Sequence, residues 1–332
     1  MYRFILNFPA AGDSDVAGIS SGGDLEFAES SPTADVGRQL LLNMIKNDGR
    51  EPPPNLCLAA AGHPATLPAP AAEILEILAV TNPCLIPERG LTRILSSPCP
   101  AIAAYCRTNN LTADWGFVEP PDAAAYLSAD FRAAMTDQKP ATLAVITATT
   151  LLPQANPGSP MKNMYFKGRQ KSQCYLTACA VSATVPVLAP GATLIVKVLD
   201  VFSAPCWFAL LTRLSACFTC AQLVKPLASS PLNSELYFVG LNYVPKKEHL
   251  IWAATLPAAC FTWCPLSMSP CAATPGCRRG VVYPAWAHNL VPVYRDVAQT
   301  IHECAQNSAK WCSPAQIPLW LHFMKPYMEA LE

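Results

Sequence analysis

Two ionisable residues stand where apolar strand patterns begin or end, which is where a fold presents side chains to chemistry. Lys197 lies near the end of the run 193–199, and Glu235 opens the run 236–243. A lysine held near neutrality by burial and neighbouring cations can take a proton from a hydroxyl, and a carboxylate can orient it. A second group is MKNMYFKGRQK, where Lys162, Lys167, Arg169 and Lys171 surround Tyr165 and Phe166. Cations for phosphates, interleaved with rings for base stacking, suit single-stranded RNA or a cap nucleotide. Cys260, Cys264, Cys271 and Cys277, with His288, are spaced by four, seven and six. These spacings lack the paired CxxC knuckles of strong zinc sites, so no metal site is expected.

The elements that must position these residues are read from periodicity. Residues 12–33 are rich in Gly, Ser and Asp and read as part of a flexible arm, 1–33. Val36, Leu40, Leu41 and Met44 recur at helical spacing behind Thr33 or Asp35 as a cap. A short strand over 55–61, a loop with Gly62 and several prolines, and a helix over 71–79 make a nucleotide-binding strand–loop–helix unit. Residues near 80–110, dense in proline and cysteine, read as an insertion. Strands are expected at 143–147, 193–199 and 236–243, and helices at 172–185 and 208–217. Strands separated by helices give an α/β, doubly wound, mainly parallel sheet. The chain then divides into the arm, a domain over 34–245, and an extension over 246–332 that is Cys-rich, then helical and amphipathic from 317 to 331.

Composition narrows the setting. Of 332 residues, 52% are apolar and 14% charged, so apolar surface needs covering by extra segments or a partner. The formal net charge is zero, and an RNA site must therefore be a local basic patch. Prolines 186 and 190 and Gly191 break the longest uncharged run, which excludes a membrane span there. The polar stretch after residue 11 does not resemble a signal peptide, and the fifteen cysteines read as reduced, mostly buried thiols of an intracellular protein.

The run PGATLIVKVLDVFSAPCWFALLTRLSACFTCAQLVKPLASSPLNSELYFVGLNYV, residues 190–244, resembles the late part of the RrmJ-fold RNA ribose 2'-O-methyltransferases. Its close, NSELYFVGLNYV, is most similar to the coronavirus-type cap methyltransferase of nidovirus replicases. The resemblance implies a Rossmann-like methyltransferase sheet with an antiparallel last strand and S-adenosylmethionine as cofactor. It also implies methyl transfer to the ribose 2'-hydroxyl of capped RNA, in a viral replication complex of the host cytoplasm. Lys197 and Glu235 take the last two posts of the family's Lys, Asp, Lys, Glu order. The Asp post falls on Ala148 or Thr149, and the first Lys post on Val36, with Arg38 and Lys46 nearby.

For the cofactor, the resemblance points to Gly62 in LCLAAAGHPATLPAP, Asp114 in LTADWGF for ribose hydroxyls, and Asp130 with Phe131 for adenine. The 162–171 loop would face the RNA, and a small zinc-binding protein of the replicase would be a stimulatory partner. The empty Asp and Lys posts support a second function: the same fold kept as a catalytically degenerate, RNA-binding or scaffolding subunit.

Overall fold

The computed structural model describes residues 2–6, 69–81, 83, 91–96, 99–117, 123–137, 139–147, 162–199, 205–229, 235–263, 303 and 316–330. Seven strands form one sheet among them: β1 (Tyr2–Leu6), β2 (Leu91–Leu95), β3 (Thr112–Phe117), β4 (Ala141–Ile146), β5 (Leu188–Leu199), β6 (Phe218–Lys225) and β7 (Glu235–Tyr243). Their order is β1-β6-β7-β5-β4-β2-β3. β3, β2, β4 and β5 are parallel, β7 is antiparallel to both β5 and β6, and β1 is antiparallel to β6. The doubly wound sheet with an antiparallel last strand is therefore as the sequence predicts.

Helices cover both faces. On one lie α1 (Ala69–Thr81), α2 (Pro100–Thr108) and, late in the chain, α8 (Gln316–Glu329). On the other lie α3 (Ala123–Leu127), α5 (Lys162–Thr184), α6 (Pro205–Ser215) and α7 (Lys247–Trp263). The short α4 (Ala129–Thr136) packs beside α5. Strand alternation sorts the side chains: Leu194, Val196 and Val198 enter the α5 face, while Ile195 enters the α1 face.

α1 begins beside Pro70, where a missing N–H costs nothing, and is apolar nearly all round. Such a helix must be buried, and Leu75, Ile77 and Leu78 are wholly so. Its two charges, Glu73 and Glu76, are buried with them. Glu76 accepts the backbone N–H of Leu227 at 2.9 Å and of Ala228 at 3.0 Å, and the indole N–H of Trp320 at 3.0 Å. One carboxylate thus ties α1 to the turn after β6 and to α8. α8 is also held by Tyr327, which stacks on Tyr105 of α2 at 5.7 Å, and by Arg107, which donates to the Ala330 carbonyl.

Four expectations need correcting. The stretch near 80–110 is no insertion, since β2 within it lies between β3 and β4 and α2 packs on the sheet. Residues 2–6 are not arm but an edge strand, with Tyr2 opposite Lys225. The 246–332 segment is not a mere extension: Ala253 and Leu256 of α7 and Trp320 and Met324 of α8 complete the two cores. Residues 162–171 are helix instead of loop, because the first residues of α5 continue into 172–184 without a proline and the tertiary contacts of the helix override Gly168. β6, which separates α6 from β7, has no counterpart among the elements expected from periodicity. The helix expected after Thr33 and the strand expected at 55–61 lie outside the described residues.

Replacing Glu76 by alanine leaves two backbone N–H groups and an indole N–H without their buried acceptor, at about 1–3 kcal/mol each. Glu76→Ala is expected to lower unfolding stability by about 3–5 kcal/mol in urea denaturation. A loss below about 1 kcal/mol would show that the carboxylate is not the clamp.

Candidate active site

Lys197 is the tenth residue of β5 and stands opposite Tyr237 of β7; Glu235, two residues earlier on β7, shares that face. The Lys197 ammonium forms an ion pair with Glu235, with side-chain exposures of 15% and 10%. The two strands hold the pair at fixed register, so its geometry is set by the backbone ladder and not by loop conformation. The near-exclusion of water from both groups makes the pairing stronger than a surface ion pair would be.

A second carboxylate reaches the same place from the helix layer. The Tyr237 hydroxyl donates to Glu73 Oε2 at 2.6 Å, and both groups are buried. Burial first, and the Glu235 carboxylate second, raise the proton affinity of Glu73 above the ordinary value of 4.5. The Tyr237 hydroxyl, Lys197 and Lys225 act in the opposite sense. Tyr237 itself is pushed strongly upward by burial and by the Glu73 and Glu235 carboxylates, so it stays a neutral donor. Lys225, fully buried at the end of β6, donates to Ser229 Oγ at 3.2 Å. Glu73, Glu235, Lys197, Lys225 and Tyr237 therefore form one electrostatically linked cluster.

The sheet also has a topological switch point beside this cluster. The chain goes from β2 outward to β3, then returns to β4 and on to β5 in the other direction, so strand order reverses between β2 and β4. Nucleotide-type ligands bind at the carboxyl ends of strands at such a switch point. Here those ends carry the buried Ser96 after β2 and Thr147 after β4. Ile146 pairs with Val196, so Thr147 lies level with Lys197.

Of the residues singled out by sequence, Lys197 and Glu235 come together. Asp114 sits mid-strand on β3 and pairs with Arg93 at 3.5 Å, so it is not at the carboxyl ends of the strands. Asp130 is exposed in the first turn of α4, where Ser128 caps the helix by accepting from the Phe131 N–H at 3.2 Å. Phe131 packs edge-on against Tyr126 at 5.6 Å. Lys162, Tyr165, Lys167, Arg169 and Lys171 all lie on the first turns of α5. Gly62, Val36, Arg38, Lys46, Ala148 and Thr149 lie outside the described residues, as does most of the cysteine group with His288. Among the described residues no cluster of His, Cys, Asp and Glu could hold a metal ion, and no helix is long and apolar enough to cross a membrane.

A parallel sheet closed by an antiparallel β7 that opens with Glu235 beside Lys197 is the context in which family comparison becomes informative. Residues 125–243 match the FtsJ-like methyltransferase family. The FtsJ-like segment runs from α3 to the end of β7 and so contains β4 to β7, Lys197 and Glu235. The mixed, Rossmann-like sheet is consistent with a methyltransferase fold. A Plasmodium falciparum structure, described as a putative ribosomal RNA methyltransferase, aligns at 15% identity with a TM-score of 0.35, over 53% of this chain and 97% of its own. No curated protein matches the chain.

Sequence patterns conceal Glu73, because acids on a helix usually face water. One signal does exist: α1 carries two acids three residues apart, no base, and apolar residues nearly everywhere else. The position is testable by pH. Glu73 binds its proton more tightly folded than unfolded, so its contribution to stability is fullest below about 4.5 and is lost as pH rises through the folded value. Glu73→Gln cannot ionise and escapes that loss. Its urea midpoint relative to the parent protein is expected to be higher at about pH 8 than at about pH 4.5; an equal difference at both pH values would contradict the shift.

Proposed function

We propose that this chain transfers a methyl group from S-adenosylmethionine to a ribose 2'-hydroxyl of RNA, with capped RNA as the substrate class. The observation that carries the reading is the Lys197–Glu235 pair at the β5–β7 junction inside the FtsJ-like segment. S-adenosylmethionine supplies the electrophilic methyl carbon on its sulfonium. In this reading Lys197, as the neutral amine, takes the proton from the ribose hydroxyl as its oxygen bonds to the methyl carbon and the carbon–sulfur bond breaks to release S-adenosylhomocysteine; the ammonium so formed is the species paired with Glu235, which holds the side chain in position.

The residues at the β2–β4 switch point suit the cofactor in donor type. It offers the buried Ser96 and the N-terminus of the nine-residue α2, whose Cys99 N-cap makes no side-chain cap hydrogen bond. N–H groups at such an end suit the carboxylate of the cofactor's methionine part. Asp130 and Phe131 on α4 and the basic, aromatic first turns of α5 are the further candidates for adenine and for RNA. Gly62 stays a candidate of the cofactor loop on sequence alone. A small zinc-binding stimulatory partner and a viral, nidovirus-type origin belong to the same proposal and rest on the resemblance of residues 190–244.

One observation favours a second reading. The end of β4 and the residues beyond it, ATLAVITATTLL over 141–152, hold no carboxylate. A degenerate, RNA-binding or scaffolding subunit would be free of that requirement. Calorimetric titration with S-adenosylmethionine separates the two readings: binding below about 1 mM supports the enzyme, and no heat at that concentration supports the scaffold. For the enzyme, Lys197→Ala is expected to reduce methyl transfer to capped RNA by about a hundredfold or more. Unchanged transfer by Lys197→Ala would remove the lysine from the mechanism.

A further inference from the structure

We propose that Glu73 is a positioning residue for Lys197, supplying from α1 the second carboxylate that the end of β4 lacks. The proposal rests on the methyl-transfer reading for its catalytic meaning, while the placement rests on the β5–β7 register and the Tyr237–Glu73 hydrogen bond. Lys197 and Tyr237 are directly opposed in the β5–β7 ladder, so their side chains leave the sheet on the same face. Glu235 leaves that face two residues from Tyr237 and pairs with Lys197. The Tyr237 hydroxyl reaches over to Glu73 at 2.6 Å, which fixes the Glu73 carboxylate above the same strip of sheet. α1, the helix that carries it, is locked in turn by Glu76, one turn along, through the 227–228 backbone and Trp320.

A buried carboxylate on an apolar helix is costly, because desolvation disfavours its charge. Packing alone would be served by an apolar residue of similar size, and the Tyr237 hydroxyl would be satisfied by a neutral amide. What glutamate adds, when ionised, is a negative charge that Lys197 and Lys225 feel. The groups it meets are Glu235 and Tyr237 on β7, Lys197 on β5 and Lys225 on β6; Cys99, before α2, acts on Tyr237. Glu235 holds the lysine by a direct ion pair, and Glu73, held by Tyr237, acts on it through space; two carboxylates confine its flexible stem more narrowly than one, which is the role a carboxylate level with Lys197 on β4 would otherwise serve. Thr147, at that level, carries no charge.

Two measurements on the full chain test this. In carboxyl-carbon NMR of protein labelled at glutamate, the Glu73 resonance, assigned by its loss in Glu73→Gln, gives a titration midpoint. Lys197→Met is expected to move that midpoint up and Glu235→Gln to move it down; a midpoint unmoved by both overturns the linkage. In the transfer assay, Glu73→Gln, which keeps an acceptor for Tyr237, is expected to lower kcat by about a hundredfold with the KM for capped RNA unchanged. Full kcat in a folded Glu73→Gln protein overturns the positioning role, since a merely structural residue would tolerate the amide. If the unaltered chain transfers no methyl group, the methyl-transfer reading fails, and the NMR midpoints still decide whether Glu73 is linked to Lys197.

Discussion

Taking charge out of water is the constraint around which one face of this protein is organised. Lys197 and Glu235 are nearly excluded from solvent, Glu73 and Lys225 are buried, and Glu76 is buried three residues from Glu73. Each ion would cost several kcal/mol if left alone in that environment. The structure answers with opposite charge and with donors: lysine against glutamate across β5 and β7, tyrosine against Glu73, and backbone and indole N–H groups against Glu76. Removing Lys197 on β5 takes away the counter-ion of Glu235, and removing Glu76 takes away the shared acceptor of Leu227, Ala228 and Trp320, so α1, α8, the turn after β6 and the β5–β7 ladder are interdependent. The C-terminal helix is thus linked to the candidate active site through α1, although its residues are far away in sequence.

Among the described residues no carboxylate is buried on the opposite face. Its core is apolar and aromatic, with Trp207, Phe218, Phe238 and Tyr243 among the large buried groups. Phe218 packs against both Phe238 and Tyr243, and its ring lies where a Cβ on Gly240 would fall, 2.6 Å away. One face is held by packing, the other by satisfied polarity. The site lies on the second, where strand ends and helix layer meet.

Much of the sheet is legible in the chain because its central strands are buried on both faces. ATLAVI, TLIVKVL and LYFVG are near-continuous apolar runs, and β4, β5 and β7 appear where such runs predict them. The Lys197–Glu235 pairing is legible for the same reason, since both residues punctuate those runs. β2 is not, because LTRIL is short, carries an arginine, and is flanked by prolines that imitate a loop. β1 pairs with β6 alone among the described strands, so little in its own sequence gives it away. Glu73 is hidden because its buried contact is with Tyr237, 164 positions later, and no local pattern encodes that contact. The charges in the first turns of α5 imitate a loop, whereas helix formation there is decided by residues 173–184, which are packed into the core.

If this cluster serves methyl transfer to a ribose hydroxyl, the product reveals it most directly. The measurement is to incubate the chain with isotopically labelled S-adenosylmethionine and capped RNA, digest the RNA to nucleosides, and locate the label by mass spectrometry. The expected result is label on the ribose 2'-oxygen. Label on a base, or none on RNA under conditions where the cofactor is bound, would contradict a role for the Lys197–Glu235 pair in that transfer.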